Sequence, residues 1–167
     1  MNNTLPDDEV KLVTDVLAKL EPGFLPLSIF HEIARLTATP VIEIVPLRRV
    51  AGRVQILLTE RDANDLFWPG QPHVPGTVIR ATDTLESAFA RVFNQELGGV
   101  AASRPTFVEN ILNHSNRGAE CSQIYWIDVT GETTVGQFYD VEKLPETVVA
   151  SQMNFIPAAI ESYKRQL

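Results

Sequence analysis

The stretch 84–97, TLESAFARVFNQEL, leaves the fold of this chain the least freedom. At about 100° of rotation per residue, Leu85, Ala88, Phe89, Val92, Phe93 and Leu97 share one broad apolar stripe. A helix of this kind needs a sheet or another helix to cover it. Gly98-Gly99 follow as a natural stop. Arg91 and Asn94 lie off the stripe, but Glu96 falls about 40° from Val92, inside it. It also sits in the last turn, where the helix dipole disfavours an anion. Such a carboxylate either bends past the last turn into water or is compensated, by an arginine, a metal ion or a cleft at the helix end.

The flanking sequence supplies partners for that stripe. VIEIVPL (41–47), a strand broken by Pro46, and VQILLTE (54–60) surround the turn signal Ala51-Gly52, which predicts a β-hairpin. Residues 61–83 are rich in Pro and Gly and read as loop. PTFVENIL (105–112) and QIYWIDV (123–129) read as strands joined by a polar loop, HSNRGAEC (114–121). Residues 140–146 read as a connector, and a closing helix is expected over 153–166. Before the hairpin, 6–20 and 27–36 show helical spacing, with Asp7, Asp8 and Glu9 suited to a first turn and Ile29, Phe30, Ile33 and Ala34 facing inward. The predicted class is α+β with a mixed sheet.

The 167 residues suit one domain with a small appendage. A net charge of −7 disfavours general binding to phosphate backbones, so no nucleic-acid partner is expected. No run reaches the roughly 18 apolar residues of a membrane span, and MNNTLPDDEV lacks the features of a secretory signal, which together suggest a cytoplasmic protein. Cys121 is the only cysteine, which excludes an internal disulfide and a multi-cysteine metal site; a small buried residue is expected there. His31, His73 and His114 lack metal-ligand spacing.

Residues 74–99, VPGTVIRATDTLESAFARVFNQELGG, resemble the signature of the Nudix hydrolases, G-x5-E-x7-R-E-U-x-E-E-x-G-U introduced by Leu-Pro-Gly, with U a bulky aliphatic. The register fits without a gap. Pro75-Gly76 match the introducing pair, Arg91 the Arg, Glu96 the last Glu and Gly98 the Gly. Thr77 takes the first Gly position, Asp83 the first Glu position and Gly99 the final U position. Val92 and Gln95 replace the two remaining glutamates.

The resemblance implies an α/β/α sandwich over 39–167, with 1–38 as a helical extension. It implies hydrolysis of nucleoside diphosphates linked to another moiety, with Mg²⁺ or Mn²⁺ held by helix glutamates against the diphosphate. Val92 supplies no ligand and Gln95 only a neutral oxygen, so weak metal binding and weak or lost activity are expected. The alternative is a non-catalytic module that binds a nucleotide-like ligand or a partner. The site residues implied are Glu96 as metal ligand and catalytic carboxylate, Arg91 and Asp83 bracing it, and Glu120 as a loop carboxylate, with Glu60, Glu109 and Glu132 as further candidates. Trp68 and Arg117 are candidate ligand contacts, Trp68 because an aromatic beside Pro69-Gly70 reads as exposed. His73 is a candidate acid or base near the site mouth. A homodimer is a further expectation of the resemblance.

Overall fold

The computed structural model describes residues 4–166. Helices α1 (Asp7–Leu17) and α2 (Leu27–Leu36) precede strands β1 (Ala38–Val50) and β2 (Arg53–Glu60). Two short strands, β3 (Pro72–His73) and β4 (Gly76–Val78), lead to α3 (Leu85–Glu96). Strands β5 (Ala101–Ala102), β6 (Thr106–Ser115), β7 (Gly118–Thr130) and β8 (Gln137–Asp140) follow. A 3₁₀ turn (Ala150–Asn154) and α4 (Ile156–Lys164) close the chain.

β1 organises an eight-stranded mixed sheet. It runs parallel to β7 from Ala38↔Ala119 to Leu47↔Asp128 and antiparallel to β2 and β4. The β1–β2 hairpin turns where the sequence predicts it. Ala51 and Gly52 both have positive φ, 49° and 80°, the twist a two-residue hairpin requires. Pro46 does not break β1. It falls between the stretch paired with β4, which ends at Glu43, and the stretch paired with β2, which starts at Leu47. A missing N–H is tolerated in that interval.

Side chains alternate along β1 and divide the core into two layers. Val45 and Leu47, with Ile56, Ile124 and Trp126, pack under Phe155, Ile156 and Tyr163. Ile42 and Ile44, with Leu57 and Ile127, pack under Ala88, Val92 and Leu97. Helices therefore cover both faces, the sandwich the sequence suggests. α3 is secured by a reciprocal cap: the Ser87 N–H donates to Thr84 Oγ1 at 3.2 Å, and the Thr84 N–H donates to Ser87 Oγ at 3.0 Å. Phe89 and Phe93 pack against the core layer, but Leu85 is 48% exposed, because as the first helical residue it lies beyond that cover.

Other expectations need correction. The predicted loop 114–121 is a tight turn at Asn116-Arg117, with β6 and β7 paired up to Ser115↔Gly118. Its polar residues do not prevent a strand because they find partners there. Ser115 Oγ donates to the Gly118 carbonyl at 3.3 Å, and Glu120 accepts from Arg117. Cys121 is exposed, since Glu120 and Ser122 take the buried face of β7. Residues 61–83 contain β3 and β4, and β8 precedes the predicted connector. The closing helix starts at Ile156, with Pro157 in its first turn, after a 3₁₀ turn. Ile33 is exposed although Ala34 beside it is buried. No helix among the described residues is long and apolar enough to cross a membrane.

Candidate functional site

A cleft of about 1070 Å³ opens at the end of the sheet where β1, β4 and the C-terminus of α3 meet. Thr39, Val41 and Glu43 of β1, Thr59 and Glu60 of β2, and Gly76–Val78 of β4 line it. Gln95 and Glu96 enter from α3, Gln152 from the 3₁₀ turn and Arg117 from the β6–β7 turn. Phe24, Leu27, Phe30 and Ile33 form a wall contributed by the N-terminal segment.

Glu96 meets a cleft, one of the three compensations open to it on sequence grounds. Its Oε2 accepts a hydrogen bond from the Gly76 N–H at 3.3 Å, which lends some support to the charged form. Burial outweighs that bond and pushes the carboxyl up to about 7. Position 76 has to be glycine. A Cβ there would sit 2.6 Å from Glu43 Oε2 and 2.9 Å from the Ile42 carbonyl. Gly76 is thus the spacer between two carboxyl groups.

Glu43 is the residue the sequence reading passed over. It is 7% exposed, and burial first, then the charge of Glu120, hold its carboxyl well above the usual range. Its partner is Gln152, whose Nε2 donates to Glu43 Oε2 at 3.2 Å while its Oε1 accepts from the Val74 N–H at 2.8 Å. The one available signal was a lone acidic residue in the otherwise apolar run VIEIV.

The other predicted residues are placed as follows. Arg91 grips Asp83 with two bonds, Nη1 to Oδ1 at 2.8 Å and Nη2 to Oδ2 at 2.7 Å, and also donates to Thr77 Oγ1 and the Val78 carbonyl. The Arg91 hydrogen bonds hold the Asp83 carboxyl far below the usual carboxylate range. This pair ties the start of α3 to β4 and does not reach Glu96. Glu120 lies in β7 rather than a loop and is 4% exposed. Arg117 covers it, with Nη2 2.5 Å from Oε1, so this arginine is half-buried at the cleft. Trp68 is buried rather than exposed and is not part of the cleft lining. The guanidinium carbons of Arg61 and Arg117 stand 5.2 and 5.7 Å from its ring centroid, so it backs the arginines that face the cleft. His73 bonds to Thr59 Oγ1 at 3.1 Å, and burial lowers it to about 4. Glu60 lines the cleft; Glu109 and Glu132 do not.

Positions 92, 95 and 96 do not converge on one point. Val92 is 1% exposed in the core layer, while Gln95 and Glu96 face the cleft. A divalent ion of the Mg²⁺ class needs anionic oxygens grouped around it. This donor set does not fit. Asp83 is held by Arg91 and Glu120 by Arg117, Glu43 is buried against Gln152 with its carboxyl held above the usual range, and Gln95 is uncharged. Among the described residues, no group of three or more His, Cys, Asp and Glu side chains could hold a metal ion.

No protein-family model matches the chain, and no curated protein matches it. Solved structures do. The Nudix domain of Shewanella oneidensis NrtR, complexed with ADP ribose, superposes with a TM-score of 0.64 at 15% identity, over 90% of this chain and 97% of that one. A mutT/nudix family protein from Listeria innocua gives 0.60 at 14%, over 78% and 97%. The Ap4A hydrolase of C. elegans gives 0.58 at 10%, over 77% and 99%. The fold of this chain is therefore the Nudix fold, that of the superfamily whose signature residues 74–99 resemble.

Proposed function

We propose that this Nudix-fold protein holds a nucleotide-like ligand, a nucleoside diphosphate linked to another moiety, in the cleft, and that phosphoanhydride hydrolysis there is slow or absent. The carrying observation is the division of α3. Val92 belongs to the core and Gln95 is neutral, so Glu96 is the only carboxylate the helix offers the cleft. Hydrolysis requires charge on the transferring group to be neutralised as water attacks, and losing one such contributor typically costs about 10²–10³-fold in rate. Arg61, paired with Asp65, and Arg117, paired with Glu120, both line the cleft, and the guanidinium N–H groups outside those pairs suit the anionic part of a ligand. Similar structures include a Nudix domain complexed with ADP ribose, which makes that compound a reasonable probe.

NrtR has also been solved with a 27mer DNA, at a TM-score of 0.58 and 16% identity over 75% of this chain and 62% of that one. For the present chain, with its net charge of −7, the reading is a small ligand and no nucleic acid.

Calorimetric titration of the full chain with ADP-ribose tests this reading. Saturable binding at one site, weakened in Arg117→Ala, is expected; absence of binding to ADP-ribose and to nucleoside diphosphates would overturn it. One observation favours slow hydrolysis over none. The Glu96 carboxyl, near 7, is suited to taking a proton from water. Turnover that disappears in Glu96→Gln would select it.

A further inference from the structure

The cleft wall built by the N-terminal segment carries an aromatic ring left in water. Phe24 is 80% exposed and lines the cleft. One of its faces is covered by the Arg80 guanidinium, whose central carbon stands 3.6 Å from the ring centroid. The Arg80 backbone is anchored: its main-chain N–H donates to Asp83 Oδ2 at 2.8 Å, and Asp83 is gripped by Arg91 of α3. Gly23, with φ 121°, brings the preceding chain against Thr82. The ring thus lies beside the turn that leads into α3, with Arg80 of that turn on one face.

The other cleft-facing aromatics do not offer a free face in this way. Phe30 and Tyr139 are half-buried, and Phe30 packs against the His31 ring at 5.8 Å. An exposed ring in a cleft wall, with a guanidinium on one side, suits a planar partner on the other, because aromatic stacking tolerates any base.

Building on the ligand reading above, we infer that Phe24, faced by Arg80, is a stacking platform for the base of the nucleotide-like ligand, while Arg61 and Arg117 face its anionic part. This gives the N-terminal segment a role in ligand binding.

The experiment is calorimetric titration of ADP-ribose into the natural 167-residue chain and into Phe24→Tyr, Phe24→Leu and Phe24→Ala. The side chain is exposed, so all four should melt at the same temperature. Tyr should bind like the natural chain, whereas Leu and Ala should bind about tenfold more weakly. Leu keeps apolar bulk without an aromatic face, so Leu binding as tightly as Phe would overturn stacking and leave the ligand reading intact. Equal affinity for all four chains would do the same, as would a loss that Tyr does not recover. A natural chain that binds no ADP-ribose would overturn the ligand reading and this inference together.

Discussion

Val92 and Glu96 stand one turn apart on α3 and face different surroundings. Val92 is 1% exposed among Ile42, Ile44 and Ile127, whereas Glu96 faces the cleft and accepts a bond from the Gly76 N–H. The helix therefore commits one of its signature positions to packing and keeps another for the site. Restoring a glutamate at 92 would place a carboxylate in an apolar layer with no partner. Val92→Glu is expected to destabilise the protein by about 3 kcal/mol or more. Urea denaturation measures it; a midpoint within error of the natural chain would mean that position 92 opens to the cleft.

Phe89 joins α3 to the sheet through an edge-on contact with Tyr125, ring centroids 4.9 Å apart. It is only half-buried, so Phe89→Ala should cost about 2–3 kcal/mol, less than a fully buried large-to-small change. The same denaturation series reads this value, and a loss below about 1 kcal/mol would place Phe89 outside the packed layer.

Glu96 should make stability depend on pH. Its carboxyl rises from 4.5 to about 7 on folding, so the folded state favours the protonated form. That contribution is fully present below pH 4.5 and is lost as pH rises towards 7. His73, lowered from 6.5 to about 4, acts in the opposite sense over much of this range. The single variant therefore separates them. Glu96→Gln should match the natural chain near pH 4 and exceed it at pH 8 by roughly 1–2 kcal/mol after solvent screening. A variant less stable than the natural chain at pH 8 would show that the carboxylate is compensated by something else.

Asp83 has the opposite sign. The Arg91 hydrogen bonds depress its pKa, so its contribution is present above the ordinary value of 3.8 and lost on acidification. Asp83→Asn should be less stable than the natural chain at pH 7, with the difference shrinking below about pH 4. A gap that stays constant through the acid limb would rule out the ion pair as its source.

The features of the sequence that repeat were legible, and the lone polar contacts were not. The α3 stripe, the Ala51-Gly52 hairpin turn and the anomalous Glu96 follow from periodicity and local turn chemistry, which a single sequence displays. Glu120 was read as a loop residue because polar sequence between strands suggests a loop. Only the fold shows that Arg117 across the turn satisfies it. Trp68 differs from expectation for a related reason: Pro69-Gly70 marks a turn correctly, but of the two arginines beside the ring only Arg61 is local, and Arg117 comes from the distant β6–β7 turn. Glu43 and Gln152 are 109 residues apart, and no local pattern couples them.

The central claim is that the cleft holds a nucleoside diphosphate conjugate without cleaving it efficiently. Phosphorus NMR of ADP-ribose incubated with the 167-residue chain and Mg²⁺ reads binding and turnover in one spectrum. The prediction is diphosphate resonances that shift or broaden with protein concentration, with no phosphomonoester signal growing over hours. Rapid appearance of phosphomonoester signals, or diphosphate resonances unchanged at saturating protein, would contradict it.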